Sequence, residues 1–186
     1  MLVDSRSDRF IADFTTGWAG FSKFEQIAIN PNYYRWWNPK YKDYMKLEPA
    51  AFLKTLLQED LSCLNCLSSD FMVLNDVMAK YYGAPLPGSG HRFSRVPAIE
   101  GRGGILTQAA FLLAHSDGED AHAVNRGVWL RGRLLGDPPR DPPPEVPALS
   151  ELDEENPDAA GLSTKERLAI HRKGICLDCH GDIDSW

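Results

Sequence analysis

Asn75-Asp76-Val77-Met78-Ala79-Lys80-Tyr81-Tyr82-Gly83 reads as a short helix with both of its ends written into it. The side-chain oxygen of an asparagine can accept an otherwise orphaned backbone N–H of the first turn, so Asn75 predicts an N-cap. Gly83 suits the left-handed position just past the last turn, where any other residue would pay for its Cβ. Working outward from this segment, similar punctuation recurs and predicts a mainly α protein, a small helical bundle with irregular loops.

Upstream, Phe10, Phe14, Trp18 and Phe21 recur at helical spacing from about Arg9 and predict an amphipathic helix, which Asn30-Pro31-Asn32 breaks. The aromatic run Tyr33-Tyr34-Arg35-Trp36-Trp37 has two readings, a ligand cage or a loop packed onto the core. A second helix starts near Tyr41 or Pro49 and carries Phe52, Leu53, Leu56 and Leu57 on one face. Asp60-Leu61-Ser62 and a short apolar turn through Leu67 follow. Downstream, Pro85, Pro87, Gly88 and Gly90 make a loop, and His91 to Val96 has weak strand character. Helices are expected from Gly104 through Leu113 and from about His122 to Leu135, the latter closed by Gly136.

Residues 137–147 are dominated by proline and predict an extended polyproline strap, followed by an acidic stretch at 151–158. Ser163-Thr164-Lys165-Glu166 is a capping box that should open a helix to about Arg172. Gly174 would end that helix and feed the chain into a C-terminal attachment loop, Cys176-Leu177-Asp178-Cys179-His180.

That last stretch reads C-x-x-C-H, the attachment signature of a c-type haem. Two thiols three positions apart can each form a thioether to one vinyl group, and the next histidine can offer an imidazole nitrogen to the iron. The expected cofactor is covalent haem c, with Cys176 and Cys179 as attachment points and His180 as the proximal metal ligand. Only four cysteines and five histidines occur in 186 residues, which makes a chance match uncommon. The alternatives for the pair are a zinc site and a disulfide, within a structural or partner-binding module.

A second pair, Cys63-Leu64-Asn65-Cys66, lies among leucines, and small buried hydrophobes are the expected role for it. More than a hundred residues separate the two pairs, far beyond the spacing of a compact zinc ribbon. For a sixth haem ligand the upstream candidates are Met72, Met78, His115, His122 and His171, each of which also has an ordinary core or surface role.

Bulk properties exclude more than they identify. The net charge of −6, with no basic run, argues against nucleic-acid binding, and no apolar stretch approaches the ~20 residues of a membrane span. The N-terminus lacks the basic-then-apolar order of a secretory signal, although c-type haem is normally attached outside the cytoplasm. The expectation is therefore a piece of a longer exported protein, or a haem site that is never loaded. There is no Gly-x-Ser-x-Gly elbow, phosphate loop or His-Glu-x-x-His helix, so electron transfer is favoured over catalysis. Arg102-Gly103-Gly104 reads as a tight turn rather than an anion site, and Asp117-Gly118-Glu119-Asp120 as solvated rather than calcium-binding.

The order of several blocks resembles a known family. Asp70-Phe71-Met72-Val73-Leu74-Asn75, Tyr82-Gly83, Phe93-Ser94-Arg95-Val96, Arg102-Gly103-Gly104-Ile105-Leu106-Thr107-Gln108 and Arg126-Gly127-Val128-Trp129 look like the large planctomycete-type cytochrome c-like proteins. There, similar blocks precede a proline-rich strap, a Val-Pro-x-Leu (here Val146 to Leu149) and a C-x-x-C-H. The resemblance implies that residues 1–83 are the tail of a domain of unknown function and 84–186 a cytochrome c-like domain. It further implies periplasmic or other exported location, with a redox protein or adjoining domains as partners. Two departures stand out. Ala121-His122-Ala123-Val124-Asn125 replaces a Thr-Ser-Pro-Val type sequence, and the chain stops at Trp186 where the family continues.

Overall fold

A computed structural model describes residues 4–119, 121–141, 161–163, 166, 169 and 176–183. The chain is mainly α, and it divides into two compact units, Met1–Glu119 and Asp120–Trp186.

In the first unit, helix α1 spans Arg6–Trp18, and Gly20, in the left-handed region at φ 77°, turns the chain into a 3-10 helix over Phe21–Gln26. Helix α1 buries Ile11 and Thr15, whose hydroxyl donates to the Ile11 carbonyl at 2.6 Å. The stripe of Phe10, Phe14 and Trp18 forms as the spacing predicts, but it is not the buried face: Phe10 is 62% and Phe14 47% exposed. Their rings stack along the helix, Phe10 on Phe14 at 6.1 Å and Phe14 on Trp18 at 5.9 Å. The expected second helix is two, α2 over Lys40–Met45 and α3 over Glu48–Gln58. Pro49 stands in the first turn of α3, where its missing N–H costs nothing. Of the four predicted face residues Phe52 and Leu56 are buried, while Leu57 is exposed.

Phe52 stacks on Phe71 at 5.3 Å, so α3 covers strand β1, Phe71–Leu74. All four residues of β1 are buried, and a continuous apolar run carries no alternation to mark it as a strand. It pairs antiparallel with β2, Ser94–Pro97, in the register Phe71↔Pro97 to Leu74↔Ser94. Helix α4, Asp76–Tyr82, follows β1 with both predicted caps. Asn75 accepts from the Met78 N–H at 2.8 Å, and Gly83 sits at φ 68°. The Asp76 carboxylate accepts from the Ser89 and Gly90 backbone N–H groups at 3.2 and 3.1 Å, which pins the Gly-rich loop returning to β2.

The expected helix from Gly104 is a 3-10 turn, Ile105–Thr107, and then α5, Ala109–Ala114. The core gathers Phe21, Phe24, Met45, Met72, Leu74, Met78 and Ala110. The aromatic run packs in part: Trp37, with Tyr41 beyond it, lies against this core, while Tyr33 and Trp36 are 69% and 60% exposed and Trp36 leans on Tyr81 at 5.8 Å. The turn at Asp117–Glu119 is tied down rather than merely solvated, because the Tyr34 hydroxyl donates to the Glu119 carbonyl at 2.7 Å.

In the second unit, α6 spans Ala123–Trp129 and runs on as a π-helical turn, Leu130–Leu135. Gly136 closes it at φ 69°, as predicted. Arg131 pairs with Asp137 just beyond. The capping box forms reciprocally: the Ser163 hydroxyl donates to the Glu166 carboxylate at 2.6 Å, and the Glu166 N–H donates back at 3.4 Å. Those bonds from Ser163 hold the exposed Glu166 carboxyl below its usual pKa. The acidic stretch, Gly174 and most of the proline strap lie outside the described residues. The final element is helix α7, Cys176–Ile183.

Candidate functional site

The C-x-x-C-H motif occupies the first five positions of α7, so it stands on a helix and not in the expected loop. No proline interrupts Cys176–Ile183, and Gly181, directly after His180, costs about 1 kcal/mol relative to alanine. On an α-helix, positions i, i+3 and i+4 are neighbours, which is the relation among residues 176, 179 and 180. His180 is partly buried, and Leu177, one position off that set, is 52% exposed.

What fixes α7 lies at its other end. Ile183 is 7% exposed, and the position a Cβ on Gly127 would take lies 2.8 Å from the Ile183 carbonyl oxygen and 2.9 Å from its Cγ2. Such a separation is closer than van der Waals contact permits, so α6 and α7 meet at a point where only glycine fits. The glycine of Arg126-Gly127-Val128-Trp129 is thereby explained by close approach, not by backbone conformation. Next to it Arg126 is about half buried, and burial pulls its guanidinium below the ordinary pKa. Trp129, one turn on, is buried.

The proposed upstream ligands are placed as follows. Met72 and Met78 are 4% and 0% exposed in the core of the first unit. His115 is also buried there, its Nδ1 at 2.8 Å from the Phe111 carbonyl and its ring 4.4 Å from that of Phe111. All three serve packing. His122 is exposed, with Nδ1 at 3.4 Å from the Asn125 amide, and His171 lies outside the described residues. Among the described residues, no three His, Cys, Asp or Glu side chains gather as a metal-binding group.

The first unit holds a polar cluster that sequence reasoning missed. Glu48, at the start of α3, is fully buried, and the Tyr82 hydroxyl donates to its Oε2 at 2.8 Å. The Ala109 N–H in turn donates to the Tyr82 hydroxyl at 2.7 Å. Burial pushes the Glu48 carboxyl up to about 8, against the opposing effects of the Tyr82 hydrogen bond and the Arg102 charge, so it is neutral at pH 7. Burial raises Tyr82 well above its usual value too, with the Glu48 charge acting in the same direction. Glu48 Oε1 and Gln108 Oε1 are buried with no partner among the described residues. Arg102 lies over the Tyr82 ring at 5.1 Å and donates to the Thr107 carbonyl at 2.6 Å. The only sequence signal was a glutamate inside an otherwise apolar helix face.

Gly103 and Gly104, read from the sequence as a tight turn, also make a close approach to a neighbouring backbone. A Cβ on Gly103 would strike the Ser69 carbonyl, and one on Gly104 would lie 2.8 Å from the Cys66 and Leu67 carbonyls. Cys63–Cys66 is a 3-10 helix with no buried residue, Cys63 being exposed and Cys66 intermediate. These cysteines are not small core hydrophobes. Burial, and then the proximity of Cys63, raise the Cys66 thiol above its usual pKa.

Comparison with known families divides the chain in two. Residues 102–186 match the family PSCyt3, described as a protein of unknown function (DUF1588), and residues 1–84 match PSD4, described likewise (DUF1592). Both are families of planctomycete-type cytochrome c-like proteins by name. The C-x-x-C-H motif and the Gly127–Ile183 contact fall within the PSCyt3 match. No curated protein and no solved structure matches the chain. Among the described residues, no helix is long and apolar enough to cross a membrane.

Proposed function

We propose that the second unit is a cytochrome-like module that carries covalent c-type haem and passes electrons. The observation that carries this reading is the C-x-x-C-H motif at the start of α7, inside the segment that matches PSCyt3. The donor set fits the group: two thiols at thioether spacing and an imidazole at the next position. Cys176 and Cys179 would hold the porphyrin, and His180 would supply the proximal nitrogen. When bound, haem supplies a one-electron iron couple.

The protein's own part is positioning. Helix α7 sets the cysteine and histidine positions relative to each other, and the Gly127–Ile183 contact sets α7 against α6. His180 is partly buried, and the burial of a haem and its ligand is one of the ways a protein tunes a haem potential. The partner is a redox protein or an adjoining domain, and the location is exported, as covalent haem attachment requires of a bacterial chain.

The test is a pyridine-haemochrome spectrum of protein made with export and c-type haem maturation. A c-type α-band that survives denaturation, and is absent when Cys176 and Cys179 are both changed to Ala, supports the reading. A colourless protein from cells that mature a known cytochrome overturns it. Metal analysis of such a colourless protein would show whether zinc occupies the cysteines instead.

A further inference from the structure

The chain contains a second Cys-x-x-Cys pair that the haem reading leaves unused. We propose that Cys63 and Cys66 are a redox-active dithiol that closes to a disulfide by exchange with a disulfide-bearing oxidant such as oxidised glutathione. The geometry comes from the 3-10 helix that carries them. In such a helix side chains three apart eclipse, and three residues rise about 6 Å, inside the ~4.4–6.8 Å Cα separation that a disulfide spans.

The turn is held on both sides. Ser62 Oγ accepts from the Leu64 N–H at 3.3 Å, and the Asn65 amide donates to the Ser62 carbonyl at 2.9 Å. On the other side Gly104 passes so close that a Cβ there would lie 2.8 Å from the Cys66 and Leu67 carbonyls. Accessibility separates the two thiols: Cys63 is exposed, whereas Cys66 is about half buried, and burial keeps its proton on. Cys63 is thus the attacking thiol and Cys66 the resolving one.

The steps balance. The Cys63 thiolate attacks one sulfur of the oxidant's disulfide, forming a mixed disulfide and releasing one thiolate. Cys66, on losing its proton to solvent, attacks Cys63 Sγ and expels the second thiolate. The dithiol gives up two electrons and two protons, and the oxidant is reduced to two thiols.

The two pairs can be read separately, because the tryptic fragment from Thr55 to Lys80 contains Cys63 and Cys66 and no other cysteine. The full chain is equilibrated with oxidised glutathione, alkylated and digested. The expected fragment has lost two hydrogens and carries no alkyl group. A fragment with two alkyl groups, or with two glutathiones, overturns the proposal. In Cys66→Ser, glutathione should remain on Cys63 as a stable mixed disulfide. In Cys63→Ser, glutathionylation of Cys66 should be at least about tenfold slower. Equal rates at the two positions would overturn the assigned roles. At a fixed glutathione ratio the oxidised fraction should drop in urea, and an unchanged fraction would show that the 3-10 turn contributes nothing. None of these readouts depends on haem.

Discussion

Two Cys-x-x-Cys pairs, one in each compact unit, share a spacing and differ in almost everything else. The pair at Cys63 and Cys66 stands on a 3-10 helix, has no histidine after it, and is held by the backbone of a neighbouring glycine loop. The pair at Cys176 and Cys179 stands on an α-helix, is followed by His180, and is anchored through Ile183 against Gly127. The Cys-x-x-Cys spacing is the same; the helix beneath it and the residue that follows it differ. Both spacings bring the two positions to one side of their helix, and what separates the pairs is the imidazole of His180, which adds a metal-ligating nitrogen after the second pair and has no counterpart after the first.

The largest effect that would break this comparison is on covalent haem. Changing Cys176 and Cys179 together to Ala should abolish the c-type band entirely, and changing Cys63 and Cys66 together to Ser should leave it. A band that depended on the first pair would erase the distinction between them.

The next effect concerns the unit that carries the first pair. Glu48 holds its proton in the folded state up to about pH 8, whereas the unfolded chain releases it near 4.5. Between those values the folded state binds the extra proton, so stability conferred by neutral Glu48 is complete below about 4.5 and is lost as pH rises toward 8. The loss amounts to roughly 5 kcal/mol at most. Urea denaturation of the first unit at several pH values should show this decline, and Glu48→Gln should flatten it.

A smaller effect tests the anchor of the second pair. Gly127→Ala would drive a methyl into Ile183 and cost about 1–3 kcal/mol, read as an earlier melting of the second unit and a lower haem yield at unchanged band position. An unchanged melt would mean that α7 is held elsewhere. Smallest of all, Asn75→Ala should remove the cap bond to Met78 and lower the first unit's stability by about 1 kcal/mol in denaturant titrations.

These features were unequally legible. Asn75, Gly83, Gly136 and the Ser163–Glu166 box could be read because a cap is local chemistry, complete within a few residues. Strand β1 could not be read, since burial on both faces removes the alternation that marks a strand. The stripe of Phe10, Phe14 and Trp18 was correct in period and wrong in face: Ile11 and Thr15 also lie at helical spacing, and only the rest of the fold decides which stripe is covered. The burial of Glu48, the closeness of Gly127 to Ile183 and the exposure of Cys63 are all properties of distant contacts. For the candidate site, the residues and their order were visible in the sequence, while the helix beneath them and its anchor were not.

The register of β1 with β2 has a practical consequence. Phe71–Leu74 lies within the PSD4 match, while Ser94–Pro97 lies beyond its end at residue 84. A polypeptide cut to that match would keep an all-apolar strand with its hydrogen-bonding edge bare, the kind of edge that recruits other chains. Family boundaries in the sequence are therefore poor scissors for this molecule; a separable piece should be sought by cutting after Glu119, where the first compact unit ends with β2 and α5 still in place.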